Sequence, residues 1–366
     1  MKTQQVIENH NRKKGVAGIL RVKNDAEFIE SCIDSCIDAL DELIIVYNDC
    51  SDNSPNLIEK KRLQYPDKIK VYEYKPKIYS VNLSKEEYDL ALNLPDDSPH
   101  LLCNYYNFAL SKVSCTYAMK IDADQFYFTE KLKSICDFCR DSQSLRYSLN
   151  YWLGMLFHYY FLAYRFFSLK IHRRLFLMPH FIAKCFRKPY EEYAKKEFKK
   201  GNACLSLSGI NVVVDRDVYV SLGKVNPIIN ILPPFNGEND HLIFKVSSST
   251  YYRKFDMPYY NKLRSTQYSL IEEFVHPYKA CLPLGFFWFH LNSMRDNCVE
   301  KVLRAKESNL DSFMNIDCFV DEKYSVIEKK TDYNIHSLFQ RLLFSYIHNA
   351  YSFTVKKYLY LLKRYL

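Results

Sequence analysis

Two carboxylates stand two residues apart in the segment Lys120-Ile121-Asp122-Ala123-Asp124-Gln125. They follow the run Tyr117-Ala118-Met119-Lys120-Ile121, which reads as a buried strand. Where a chain turns just past such a strand, both side chains can reach one ligand. Carboxylate oxygens are hard donors suited to Mg²⁺ or Mn²⁺. A cation held there would neutralise a diphosphate and help it leave. An ordinary acidic turn has the same appearance, so the tripeptide needs support from its surroundings.

The elements around it supply that support. Val16 to Val22 is apolar and ends at Lys23-Asn24-Asp25. Phe28, Ile29, Cys32, Ile33, Cys36, Ile37 and Leu40 then recur at helical spacing. Leu43-Ile44-Ile45-Val46-Tyr47 is a continuous apolar run fit for a buried parallel strand. The polar turn from Asn48 to Pro55 breaks it; Leu57 to Tyr65 reads as a helix and Ile69 to Tyr74 as a strand. This β-α-β-α-β order predicts an α/β fold, a mostly parallel Rossmann-type sheet with helices on both faces. Ligands of such sheets sit beyond the carboxyl ends of the strands. The turn after Tyr47 and the residue Asp122 both lie at such ends.

Composition narrows the class. The chain has 366 residues, 48% apolar and 25% charged, with a formal charge of +9. That composition argues against disorder, and the charge suits an anionic partner such as a sugar nucleotide or a membrane surface. No nucleic-acid-binding signature is present. The 12 cysteines form no paired CxxC sites; Cys136 and Cys139 have no second half, so free thiols are expected. Met1 to Lys14 is polar and carries no apolar signal core, which favours a cytoplasmic protein, with possible peripheral contact at the inner membrane face.

Four segments follow from the pattern: an α/β half at 1–140, an aromatic and basic helical insertion at 141–200, a second strand-bearing half at 201–300, and a C-terminal helical tail at 301–366. Residues 75–100 are a charged connection without an assigned element. Tyr151 to Phe167 is dense in aromatics and followed by Arg173 and Arg174; it suits either a core helix or one lying on a membrane. Ser206 to Val214 reads as a strand, Asn236 to His241 as a polar turn, and Phe286 to Leu291 as an apolar run. His158, His172, His180 and His276 have no partner pattern and are expected to be structural.

Four motifs in order resemble family 2 glycosyltransferases of the GT-A type, including those that build bacterial surface polysaccharides. Ile19 to Asp25 is similar to that family's first strand and its Asn-Glu end. Leu43 to Ser54 resembles the strand followed by Asp-Asp-Gly-Ser-x-Asp. Tyr105-Tyr106-Asn107-Phe108-Ala109-Leu110 looks like the helix with an Arg-Asn-x-Gly pattern, and Asp122-Ala123-Asp124 like the Asp-x-Asp motif. The likeness is good over about residues 16–130 and loose over 200–295. Asn48, Cys50 and Tyr106 depart from it, standing where Asp, Gly and Arg are usual.

The resemblance implies that 1–140 is the nucleotide-sugar-binding half and 201–300 the acceptor and catalytic half, with a nucleotide sugar, most readily a UDP-sugar, held by Arg21, Asn24, Asp49, Asp52, Asn107 and Asp122. Asp49 would accept from the base, Asn107 would hold the nucleoside, and Asp122 would lie near ribose and metal. Asp124 would bind Mg²⁺ or Mn²⁺ directly, with His290 as a third ligand and Arg295 meeting the diphosphate. For inverting members a carboxylate takes the acceptor's proton. Here Gly237-Glu238-Asn239-Asp240-His241 is the best match; Asp240 is preferred and Glu238 stays open, while a helix-capping acid pair is the plainer explanation. The acceptor would be a glycan or glycolipid hydroxyl in lipopolysaccharide or capsule synthesis. A metal-dependent nucleotidyltransferase and a non-catalytic membrane-associated scaffold remain as alternatives; the former would want a fuller Gly-rich loop than Gly15 and Gly18 provide.

Overall fold

The computed structural model describes residues 12–141, 147–171, 177–223, 226, 231–256, 268–331 and 338–365; His172, Arg173, Arg174 and the side chain of Glu238 lie outside the described residues. In chain order the elements are β1 Lys13–Val22, α1 Ile29–Cys36, β2 Glu42–Tyr47, α2 Ser54–Gln64, β3 Ile69–Glu73, α3 Lys85–Asn93, α4 Leu102–Ser111, β4 Cys115–Asp122, β5 Gln125–Tyr127 and α5 Thr129–Arg140. There follow α6 Leu149–Ile171, α7 His180–Lys199, β6 Ala203–Asn211, β7 Val213–Asp215, β8 Asp217–Ser221, β9 Phe235–Lys245, β10 Tyr251–Asp256, β11 Leu270–Val275 and β12 Ala280–His290. Last come α8 Val299–Ser308, β13 Phe313–Asn315, α9 Ile316–Asp321, α10 Tyr324–Lys330 and α11 Leu338–Tyr365. The chain folds as two compact units: one takes residues 1–123, 133–140 and 244–278, the other 124–132, 141–243 and 279–366.

The first unit is built on the strand order β3-β2-β1-β4, every neighbouring pair parallel. Val16 to Leu20 and Leu43 to Val46 are buried at every position. Successive strand residues face opposite sides, so a strand buried throughout is covered on both faces. That is why these strands read as unbroken apolar runs. Registers Arg21↔Val46 and Arg21↔Asp122 put the carboxyl ends of β1, β2 and β4 side by side. The unassigned 75–100 connection contains α3, opened by a capping box in which Ser84 and Glu87 exchange side-chain and backbone bonds. Strands β10 and β11 pair antiparallel.

The second unit holds β9-β6-β12-β5, with β6 and β12 parallel and β9 and β5 antiparallel to their neighbours. The expected polar turn at 236–241 is instead part of β9. Gly237 and Asn239 adopt left-handed φ values of 86° and 57° there. The ladder to β6 jumps between Leu207↔His241 and Gly209↔Asn236. The turn-forming residues thus make an irregular bulge inside a strand, which re-aims the side chains it carries.

Helices α6, α7 and α11 pack together in this unit. Phe157 stacks on Phe186 at 4.8 Å and meets Tyr346 at 5.1 Å, while Tyr190 and Tyr346 lie edge to face at 5.5 Å. One face of the aromatic segment is therefore core. No described helix is long and apolar enough to cross a membrane. None of the twelve cysteines is in a disulfide.

Candidate active site

In the first unit the turns after β1 and β2 are knitted into one surface. The Ser51 amide donates to Asn24 Oδ1 at 2.7 Å, and the Asp25 amide to Ser54 Oγ at 2.9 Å. Asp52 accepts from the amides of Ala26 (2.9 Å) and Ser54 (3.0 Å). Burial pushes the Asp52 carboxyl up, but these donors outweigh it and hold it below the ordinary carboxylate range. The side chains of Asn24 and Asp52 are thus engaged in building the loops. Asn24 and Asp49 both take left-handed φ, 56° and 47°, which Asn and Asp tolerate best among non-glycine residues. Asp49 meets Lys23 at 3.1 Å with most of its carboxylate exposed, so it can still accept from a ligand.

Two of the three departures from the expected motif, Asn48 and Tyr106, have physical reasons. Buried Asn48 donates through Nδ2 to the carbonyls of Tyr74 (2.5 Å) and Pro76 (2.9 Å). An ionised Asp has no proton to donate there. Tyr106, fully buried, stacks on Tyr252 at 4.5 Å, and its hydroxyl accepts from Arg21, whose guanidinium lies over its ring. Tyr106 is therefore a buried ring that packs on Tyr252 and holds Arg21. Burial would lower the Arg21 pKa, yet Tyr106, Glu272 and Asp122 hold it raised and charged. Asn107 uses both amide atoms on the backbone of Tyr252, each bond 2.8 Å, so its side chain positions β10. Asp122, half-buried, closes β4 with Arg21 as its neighbour on β1.

The second unit begins at Asp124. Its carboxylate is buried, and its partners include Arg295, whose Nη2 lies 2.9 Å from Oδ2, and His290, whose Nε2 lies 3.3 Å from Oδ1. The Leu291 amide donates to the Asp124 carbonyl at 2.8 Å, tying the β12 end to this residue. The orientation of His290 is decided by Asn211, the last residue of β6. Asn211 Nδ2 donates to the Pro233 carbonyl, which leaves its oxygen facing His290 Nδ1 at 2.6 Å. Nδ1 must then carry the proton. In a neutral ring Nε2 is left as a lone pair aimed at a carboxylate, an arrangement that calls for a cation between them or for a protonated ring.

That geometry fits a hard divalent cation. Ligands at about 2.1 Å from one ion sit roughly 3 Å apart, near the Asp124–His290 separation. A metal-ligating His also donates its other N–H to a fixed acceptor, as His290 does to Asn211. Beside it, Gln125 donates to His241 Nε2 at 2.9 Å and accepts from Tyr127 at 2.5 Å. Asp240 Oδ2 lies 3.3 Å from the same imidazole nitrogen, and the Asp240 carboxylate is more than half exposed. Trp288, fully buried, bonds Asn236 at 3.1 Å and stands edge-on to His241 at 4.8 Å, which braces the β9 stretch bearing Asp240. Asn211, Gln125 and His241 carry no sequence motif; only their placement reveals them.

Acidic turns at the ends of parallel strands, followed by an Asp-x-Asp whose second acid meets a late His, resemble the GT-A glycosyltransferases. Residues 11–160, somewhat less than half of the chain, match the family model described as beta-1,4-N-acetylgalactosaminyltransferase (CgtA). Solved structures with partial similarity include TarS from S. aureus in complex with UDP, at 18% identity over 34% of this chain and 31% of that one, TM-score 0.24. The mannosyltransferase PcManGT from Pyrobaculum calidifontis, in complex with GDP-Man and Mn²⁺, is 18% identical over 36% of this chain and 32% of that one, TM-score 0.24. Glucosyl-3-phosphoglycerate synthase from Mycobacterium tuberculosis, with Mn²⁺ and UDP-glucose, is 18% identical over 31% of this chain and 34% of that one, TM-score 0.20. The chain spans about a third of the length of these three. No curated protein matches.

Proposed function

We propose that this chain is a metal-dependent glycosyltransferase that moves a sugar from a nucleotide donor to a hydroxyl of a glycan or glycolipid. The observation that carries the reading is the Asp124–His290 pair, with the imidazole lone pair directed at a carboxylate by Asn211. Asp124 and His290 would hold Mg²⁺ or Mn²⁺, which when bound offsets charge on the leaving diphosphate. Arg295, which pairs with Asp124 Oδ2, would accompany that diphosphate. Asp49 receives the base and Asp122 the ribose side of the donor.

Asp240 takes the acceptor's proton and the product is inverted at the anomeric carbon. Its exposure lets an incoming hydroxyl approach. Nucleotide-sugar specificity favours UDP, the acceptor belongs to surface glycan synthesis, and the enzyme works at the inner membrane face. Purified protein should release nucleoside diphosphate from one member of a panel of nucleotide sugars, and UDP with Mn²⁺ should raise Tm. Release of pyrophosphate instead would mark a nucleotidyltransferase, and no thermal response to any nucleotide would sink the assignment.

A further inference from the structure

Helix α6 divides its residues sharply. Tyr151, Gly154, Phe157, Phe161 and Tyr164 recur every three or four positions and are buried. A Cβ at Gly154 would lie 2.2 Å from the Pro189 carbonyl, so α6 and α7 are in backbone contact along this stripe. The remaining face is open, yet it is not polar. Trp152, Leu153, Leu156, Tyr159, Phe166 and Phe167 are 36–63% exposed. Singly exposed apolar residues need no explanation, but a contiguous helical face of them does. Over 23 residues it is about 35 Å long.

We infer that this face docks on an anionic membrane surface, α6 lying in the plane of the headgroups. Charge selects that occupant. Between Ser142 and Tyr190 the sequence has eight lysines and arginines and no aspartate or glutamate. Lys170 is exposed in helical register with that face, and Lys184 and Lys188 are exposed as well, while Arg165 flanks the packed side with its guanidinium over Phe339. Basic residues beside an apolar face rich in Trp, Tyr and Leu have the composition of an interfacial helix, because amphipathic rings favour the headgroup boundary and cations favour anionic lipid. Self-association of two chains across a twofold axis would set the exposed Lys170, Lys184 and Lys188 against the same lysines of the other copy, like charge on like charge. Burial of one face in α7 and α11, and hydropathy too low to span, keep the helix on the surface of the bilayer. The inference goes beyond sugar transfer and stands whether or not Asp124 binds a metal.

The full chain should co-sediment with vesicles of phosphatidylglycerol and phosphatidylethanolamine, and far less with phosphatidylcholine vesicles or at 1 M salt. Of the two tryptophans, Trp288 is fully buried and Trp152 is half exposed, so a blue shift on adding vesicles reports Trp152. Trp152→Ser with Leu156→Ser removes two open apolar side chains from the face. Partitioning should fall at least about tenfold while unfolding stays cooperative and any nucleotide-induced Tm shift is kept. Wild-type protein that stays in the supernatant with anionic vesicles, or a double variant that binds like wild type, overturns the inference. So does equal binding to both vesicle types, or a double variant that loses only a dimer detected by light scattering.

Discussion

Replacing Asp124 by Asn keeps the shape of the side chain and removes its charge. The carboxylate is almost fully buried and serves Arg295 at 2.9 Å and His290 at 3.3 Å. A charge-assisted bond is worth about 1.5–3 kcal/mol. Arg295 retains a quarter of its exposure, so solvent screening brings the expected loss of stability to about 1–2 kcal/mol. The loss in transfer should be larger. Removing a metal ligand should lower the rate by about 10²–10³, equal to roughly 2.7–4.1 kcal/mol of barrier. Urea unfolding reads the first quantity and nucleotide release the second; the Mn²⁺-induced Tm shift should vanish. Arg295→Gln separates the roles. It takes one cation away from Asp124 and leaves the carboxylate in place, so the Mn²⁺ shift should persist while KM for the donor rises. The reasoning fails if Asp124→Asn turns over at the wild-type rate, or if Arg295→Gln alone abolishes the Mn²⁺ response.

Three other outcomes are expected. Asp240→Asn should reduce transfer at least about a hundredfold and leave the UDP-induced Tm shift unchanged, since the carboxylate is more than half exposed; unchanged turnover would move the base elsewhere. Gly209→Ala would put a Cβ 2.0 Å from the Trp288 indole nitrogen, inside a fully buried contact; a loss of about 3 kcal/mol in urea unfolding is expected, and a neutral effect would contradict the packing. His348 is buried among Phe319, Phe235 and Tyr324, and burial lowers its pKa to about 4. The unfolded chain, with an ordinary His, binds the proton between pH 4 and 6.5 and the folded one does not. Stability from this site is therefore full above about pH 6.5 and falls as pH drops, by about 2 kcal/mol from pH 7 to 5. His348→Phe should flatten that part of the profile; an unaltered pH slope would refute it.

The parallel strands were legible because a strand covered on both faces must be apolar throughout, as Ile44 to Val46 and Ile19 to Leu20 are. The acidic turns at their ends followed from chain order alone, since turn chemistry is local. Helix α3 escaped notice because its signal is a cap, Ser84 with Glu87, rather than a strong apolar stripe. The stretch at 236–241 was misread because Gly and Asn mark left-handed backbone wherever it occurs, in a turn or in a bulged strand. Only tertiary structure gave reasons for Asn48 and Tyr106, whose partners Tyr74, Pro76, Arg21 and Tyr252 lie up to 146 residues away. It also decided what His290 can do. The imidazole's proton is set by Asn211, 79 residues earlier in the chain, and no local pattern records which nitrogen faces the carboxylate.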